Sequence, residues 1–208
     1  MKKMILYLFG FFVVLVVGAI VFVNLVPAFG GNLTKEQRET FKQFSNYVSG
    51  KFVNEPNNAV TGNTPENLAM VGNSPRRPSG KIPVSEIDWN KVNREEDSLT
   101  WFGHSAFLVS IDSKKLLIDP MLSSNASPVS LVKIKRFSDD LLYLIDQMPP
   151  IDAVLITHDH YDHLDYQSIV KLKNKAERFF VPLGVGAHLI RWGIPAEKIT
   201  EFNWWQEA

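Results

Sequence analysis

The sequence predicts an α/β domain that is preceded by one transmembrane helix. Two observations support this fold class. The first is an uncharged apolar run over residues 4–26. The second is the alternation, from about residue 98 onward, of short apolar runs with helical patterns, which is typical of layered α/β folds. With 208 residues and 45% hydrophobic content, the chain can form one globular domain in addition to the N-terminal helix.

The N-terminal run is long enough to cross a hydrocarbon core of about 30 Å as a helix. Lys2 and Lys3 precede it, and residues of both charges follow it. The positive-inside rule therefore predicts a cytoplasmic N-terminus, with the rest of the chain outside the cytoplasm. The alternative is a signal peptide that is cleaved near Val26, Pro27 and Ala28. Because the apolar core of a signal peptide has about 7–15 residues, an uncleaved, single-pass anchor in the cell membrane is favoured.

Three regions are expected along the chain. They are an anchor over residues 1–28, an extended linker over 29–97 and a folded domain over 98–208. Within the linker, residues 54–85 are rich in Pro, Asn, Gly and Ser, which predicts an irregular segment. Arg76 and Arg77 lie in this segment. They could contact lipid phosphates, although a solvated pair is the commoner arrangement.

Periodicity places the individual elements. A helix is predicted over residues 34–48, because Thr34 is a suitable N-cap and Gln37 completes a capping box. Strands are predicted over residues 99–102, 106–111, 115–118, 151–156, 178–181 and 198–202, with a tight turn at Asp112 and Ser113. Helices are predicted over residues 139–147, 166–173 and 185–192. The run 151–156 lacks alternation, which indicates a strand that is buried on both faces.

One short segment directly after strand 151–156 is dense in metal-binding side chains: His158, Asp159, His160, Asp162 and His163. His158 and His160 lie two residues apart on an extended segment, so they can point to one side and bind one ion. Asp162 and His163 follow where the chain bends towards a helix, and they can bind a second ion. Imidazole and carboxylate ligands in a chain without cysteine favour zinc over iron or manganese. The alternative is a polar loop whose histidines only cap a helix, although caps are normally Ser, Thr, Asp or Asn.

Several motifs together resemble one branch of the metallo-β-lactamase superfamily, which contains N-acyl-phosphatidylethanolamine-hydrolysing phospholipase D and its bacterial relatives. These motifs are SNYVSGKFVN at 45–54, LTWFGHSA at 99–106, LIDPMLSSNASP at 117–128, PPIDAVLITHDHYDHLDY at 149–166, FVPLG at 180–184 and WWQE at 204–207. The resemblance covers about residues 40–208. It implies the first half of an αββα sandwich with two zinc ions.

The resemblance also implies roles for individual residues. It assigns His158 and His160 to one metal ion and Asp162 and His163 to the other, with Asp162 also acting as the catalytic proton acceptor. Asp119, which ends a strand, is expected to orient a ligand imidazole through its second nitrogen, or else to cap the following turn. The branch uses three further ligands downstream, and they are missing here. The chain is therefore expected to be the front half of a longer enzyme and, with two protein ligands per ion, to hold metal weakly.

The roles of four further residues stay open. His104 could face a substrate pocket, or it could end a strand with its ring bonded to the backbone. Asp159 and Asp165 could orient the loop or cap the helix that begins near Tyr166, and a structural role is favoured for both. His188 is expected to be a packing or surface residue of its helix rather than a metal ligand.

Charge and resemblance together limit the function. The formal net charge is zero, with 22 basic and 22 acidic residues and no basic patch, which argues against a nucleic-acid partner. The expected function is zinc-dependent hydrolysis of a phosphodiester at the lipid bilayer, with a phospholipid substrate of the N-acyl-phosphatidylethanolamine type. The alternatives are a lactonase, a sugar-phosphate esterase and a non-catalytic product of a truncated gene. A homodimer is a further arrangement that the sequence allows.

Overall fold

A computed structural model of the chain describes residues 2–54, 78–94 and 97–207. Arg76 and Arg77 lie outside the described residues. The helices are α1 (Lys2–Leu25), α2 (Lys35–Phe41), α3 (Trp89–Asn93), α4 (Leu144–Gln147), α5 (Tyr166–Leu172) and α6 (Gly186–Arg191). The strands are β1 (Tyr47–Val48), β2 (Lys51–Phe52), β3 (Ser98–Gly103), β4 (Ala106–Ile111), β5 (Lys114–Ile118), β6 (Ile151–Leu155), β7 (Ala176–Pro182) and β8 (Ile199–Phe202). Short 3-10 turns occupy Pro27–Phe29 and Ala196–Lys198.

Helix α1 confirms the helix that was predicted at the N-terminus. Its mean hydropathy reaches 2.9, and none of its residues is buried against the rest of the protein. Among the described residues it is the one helix that is long and apolar enough to cross a membrane. A signal sequence near the N-terminus can also pass this test of length and composition.

The prediction of one helix over residues 34–48 is wrong after Phe41. The capping box is confirmed, because the Gln37 amide donates to Thr34 Oγ1 at 3.1 Å and the Thr34 amide donates to Gln37 Oε1 at 2.9 Å. Beyond Phe41 the chain forms the β1–β2 hairpin, which turns through Ser49 and Gly50 at positive φ. The Phe41 ring packs against those of Tyr47 and Phe52, so aromatic packing outweighs the helical periodicity.

The main sheet has six strands in the order β3-β4-β5-β6-β7-β8. The β3–β4 and β4–β5 pairs are antiparallel, whereas β5–β6, β6–β7 and β7–β8 are parallel. All six predicted strands are confirmed, with ends that differ by a few residues. The turn at Asp112 and Ser113 is also confirmed, because both residues have positive φ, as a two-residue hairpin requires.

Two of the shorter helices differ from the sequence prediction. The helix predicted over residues 139–147 is regular only in α4, from Leu144 onward. Helix α3 lies in the segment that was predicted to be linker, and Asp88 caps it by accepting hydrogen bonds from the amides of Asn90 and Lys91. Both differences are short segments, where packing decides more than propensity does.

Most of the core lies on one face of the sheet. Leu108, Leu117, Val154 and Phe179 form one row across four strands and are all almost fully buried. They join a cluster with apolar residues of α4, α5 and α6. The carboxyl ends of β5, β6, β7 and β8 share one edge of the sheet, because these strands are parallel. The predicted metal-binding segment follows β6 at that edge, where α/β sheets commonly bind ligands.

Candidate metal centre

The first pair of histidines follows β6 directly. His158 Nε2 lies 3.1 Å from His160 Nδ1. This is a hydrogen-bond distance, and it is also close to the separation of about 3.4 Å between two nitrogens that bind one tetrahedral zinc ion at 2.0–2.1 Å. The loop is closed by the amides of His163 and Leu164, which donate to the His160 carbonyl at 3.0 and 2.8 Å.

A second cluster consists of His104, Asp162 and His163. Their ligand atoms all lie within 4.8 Å of one another. Asp162 Oδ2 is 3.1 Å from His104 Nε2 and 3.9 Å from His163 Nε2. The β3–β4 turn, with positive φ at Gly103 and His104, brings His104 to this position. Of the two open interpretations of His104, the structure favours a side chain that faces the site.

The two clusters adjoin each other. The rings of His158 and His163 have centroids 3.9 Å apart and are tilted by 48°. Burial lowers the pKa of His158, and the neighbouring His163 and His160 lower it further. A lowered pKa keeps the imidazole neutral, which is the form that binds metal.

Asp119 lies behind the histidines and contacts one of them. The carboxylate is almost fully buried and follows β5 at a positive φ of 42°. Its Oδ2 is 2.8 Å from His163 Nδ1, and a proton on Nδ1 leaves Nε2 free to bind a metal. Ser105 Oγ also lies 3.0 Å from the same nitrogen. This geometry is what the predicted orienting role of Asp119 requires.

Thr157 extends this network to the other histidine pair. Its amide donates to Asp119 Oδ1 at 2.8 Å, and its hydroxyl donates to Asp119 Oδ2 at 2.7 Å. Because the hydroxyl proton is used in this way, the Thr157 oxygen can accept from His158 Nδ1, which is 2.9 Å away. With a proton on each Nδ1, Asp119 and Thr157 would leave Nε2 of both His158 and His163 available to a metal ion. Sequence reasoning missed this role, for which the only available sign was the position of Thr157 directly before the motif.

The remaining candidates have structural positions. Asp165 caps α5, accepting from the amide and hydroxyl of Ser168 at 3.3 and 2.6 Å, and it also accepts from the Ser123 amide. This confirms the structural role that was favoured for Asp165. Asp159 is exposed, and its carboxylate lies 4.0 Å from His188 Nε2.

His188 lies on α6 and packs against Trp192, with ring centroids 6.2 Å apart. This confirms the expected packing role. Burial lowers the pKa of His188, an effect that Arg191 adds to and Asp159 opposes. Its Nδ1 is buried and makes no hydrogen bond within the described parts of the chain.

A cavity of about 960 Å³ opens beside His104 and Asp162. Its walls are mainly apolar and include Ile82, Val84, Ile87, Leu99, Trp101, Phe102, Met121, Ile134, Phe137 and Leu141. Arg136 also lines it, and its guanidinium donates to the carbonyls of Phe102 and Met121. Burial lowers the pKa of Arg136. The cavity therefore joins a polar, metal-binding end to an apolar volume.

The fold and site define an α/β domain in which a loop rich in histidine and aspartate, residues 158–163, lies at the carboxyl ends of the parallel strands. We call these residues the metal-binding loop. Comparison with known families agrees with this class. Residues 114–208 match the family described as "Beta-lactamase superfamily domain". This segment, slightly less than half of the chain, is similar to the beta-lactamase superfamily, and this similarity supports a hydrolase.

Three relatives are informative. An uncharacterized protein of Mycobacterium tuberculosis is 37% identical over 88% of this chain and 50% of its own length. N-acyl-phosphatidylethanolamine-hydrolyzing phospholipase D 1 of Caenorhabditis elegans is 32% identical over 61% of this chain and 37% of its own length. A metal-dependent hydrolase of Saccharolobus solfataricus is 37% identical over 50% of this chain and 41% of its own length. The chain thus spans half the length, or less, of these relatives.

Proposed function

We propose that this chain forms part of a membrane-anchored, zinc-dependent phosphodiesterase with a phospholipid substrate. The observation that carries the proposal is the cavity of about 960 Å³ that adjoins His104 and Asp162. A phosphodiester of a lipid has a charged centre and long apolar chains. The cavity has metal-binding side chains that could hold the charged phosphodiester and apolar walls that could hold the lipid chains. The Caenorhabditis elegans relative, which carries the name of a phospholipase D, supports the same substrate class.

The side chains fit two divalent metals. His158 Nε2 and His160 Nδ1 would hold one ion, while Asp162, His163 and His104 would contribute to the second. For the second ion, His104 would be a third ligand in addition to Asp162 and His163, the two that the sequence predicted. Bound zinc would supply a Lewis acid for the phosphoryl oxygen and a nucleophile at neutral pH.

The protein's own groups prepare this chemistry. Asp119 and Thr157 would accept the Nδ1 protons of His163 and His158 and so leave Nε2 of each ring unprotonated. Asp162 would accept a proton at Oδ2, the atom that faces His104 at 3.1 Å. The apolar cavity walls would hold the lipid chains and keep water away from them.

Membrane anchoring by α1 is part of the proposal. The uncharged run and the absence of buried residues in α1 support a helix that stays in the bilayer. We expect the mature protein to keep its N-terminus and to resist extraction from membranes by alkaline carbonate, whereas a variant lacking residues 1–26 should be extracted. N-terminal sequencing that begins at Phe29 would instead establish a cleaved signal peptide.

The substrate class is tested by offering two substrates to the purified protein. A chromogenic phosphodiester should be turned over with added zinc and should stop reacting when a chelator is present. A lactone serves as the matched alternative. Rapid turnover of the lactone alone would make the protein a lactonase. If neither substrate reacts and zinc does not bind, the chain is a non-catalytic product.

A further inference from the structure

The segment that connects α1 to the domain is held in place by α6. The Arg191 guanidinium donates to the carbonyls of Gly30 at 2.7 Å and Val26 at 3.5 Å, and it also donates to the Asn24 carbonyl. Trp192 Nε1 donates to the Pro27 carbonyl at 2.7 Å. Asn24 lies in the last turn of α1, whose terminal carbonyls have no partner within the helix. Two neighbouring side chains of the domain therefore bind four carbonyls at the end of α1 and just beyond it.

Two glycines show how closely this segment approaches α6. A Cβ on Gly30 would lie 1.9 Å from His188 Nδ1, and Gly30 also has a positive φ of 76°. A Cβ on Gly31 would lie 2.0 Å from the Ala187 carbonyl oxygen. Any side chain at either position would push the segment away from α6. We call residues 24–31, with these contacts, the anchor clamp.

The anchor clamp lies on the same edge of the sheet as the metal-binding loop. Helix α6, which forms one side of it, follows the carboxyl end of β7, the neighbour of β6. His188 contacts the clamp through Gly30 on one side, and its Nε2 is 4.0 Å from Asp159 of the metal-binding loop. Farther along, Asn46 and Asn203 exchange hydrogen bonds of 2.8 and 3.1 Å after β8. The N-terminal segment therefore follows this edge of the domain.

We propose that the anchor clamp makes α1 a rigid extension of the domain and so holds the edge that carries the metal-binding loop against the lipid bilayer. This inference rests on the proposed anchoring by α1. Because no residue of α1 is buried, the helix projects away from the domain, and it does so from this edge. The partner of the surface is therefore the bilayer that contains α1. A phospholipid could then reach the cavity without leaving the membrane surface.

The rigidity of the clamp is tested by a distance measurement in detergent micelles, which requires neither a bilayer nor activity. The chain has no cysteine, so Leu25→Cys with Glu197→Cys provides two unique sites for nitroxide labels. Both side chains are exposed. Pulsed dipolar spectroscopy should give one narrow distance distribution. With Arg191→Ala the width of the distribution should increase to about 15 Å, the end-to-end span of a flexible segment as long as residues 26–34, which connect α1 to α2.

Two further variants complete this test. Gly30→Ala should broaden the distribution as Arg191→Ala does, because its methyl group would displace the clamp from His188. Arg178→Ala removes an exposed arginine of β7 and should leave the distribution narrow. Circular dichroism verifies that each variant is folded. A broad distribution in the parent protein, or a narrow one in both clamp variants, would overturn the proposal.

The orientation towards lipid is tested separately in nanodiscs that contain nitroxide-labelled headgroups. A fluorophore on Tyr161→Cys, in the metal-binding loop, should be strongly quenched. A fluorophore on the exposed Asn174→Cys, which precedes β7 at the opposite edge, should be quenched little. The substitution Arg191→Ala should make the quenching at positions 161 and 174 more similar. Equal quenching at both positions would refute the orientation. Failure to insert into nanodiscs would refute the bilayer as partner and the proposed anchoring, while the micelle distances would still report on the clamp.

Discussion

Asp162→Asn should lower kcat for phosphodiester hydrolysis by about two orders of magnitude or more, because in the proposed mechanism Asp162 would be both a metal ligand and the proton acceptor. Asparagine keeps the shape of the side chain but removes its negative charge. In the structure Asp162 Oδ2 lies between two imidazoles, 3.1 Å from His104 Nε2 and 3.9 Å from His163 Nε2. The same substitution should also weaken zinc binding, measured by calorimetry on the 208-residue chain.

The same loop offers a matched control for this variant. Asp159→Asn makes the identical chemical change three positions earlier, where the carboxylate is exposed and lies 4.0 Å from His188 Nε2. It should leave kcat and zinc affinity almost unchanged. His160→Ala, which removes a predicted ligand, should behave like Asp162→Asn. His188→Ala should reduce stability modestly and preserve the chemistry. Full activity in Asp162→Asn would contradict the assigned mechanism.

The features of the fold and site that could be predicted from the sequence are those that depend on residues close together in the chain. The strands of the sheet and the capping box at Thr34 follow from periodicity and from the pairing of residues a few positions apart. The metal-binding loop is contiguous for the same reason. His158 and His160 are two residues apart, so an extended segment alone brings their nitrogens to 3.1 Å.

What could not be predicted depends on contacts between distant segments. His104 joins the second cluster only because the β3–β4 turn meets the loop after β6, and no local pattern specifies that meeting. The contacts of Arg191 with Asn24 and Gly30 likewise join the two ends of the chain. The hairpin after Phe41 was missed because the aromatic spacing fits a helix as well as a packed turn.

Asp119→Ala is the second substitution with a large expected effect. Alanine would leave the Thr157 amide and hydroxyl and His163 Nδ1 without their shared acceptor. Because Thr157 is exposed and His163 is partly exposed, water can replace part of these bonds, and the total cost should be about 1–3 kcal/mol. The free energy of unfolding, measured with urea, should fall accordingly. Zinc affinity should fall by about 10–100-fold, because the imidazoles of His163 and His158 would no longer be held with Nε2 free.

Asp165→Ala separates these two effects. Asp165 is also buried, lies in the same region and accepts several hydrogen bonds, but its partners are Ser123 and the first turn of α5 rather than a predicted ligand. Asp165→Ala should lower the free energy of unfolding by about 1–3 kcal/mol, which is the cost of losing a helix cap and the neighbouring hydrogen bonds. Zinc affinity measured on the folded fraction should stay close to that of the parent protein. If Asp165→Ala weakened zinc binding as much as Asp119→Ala, the loss would reflect general loosening of the loop, and the orienting role of Asp119 and Thr157 would be wrong.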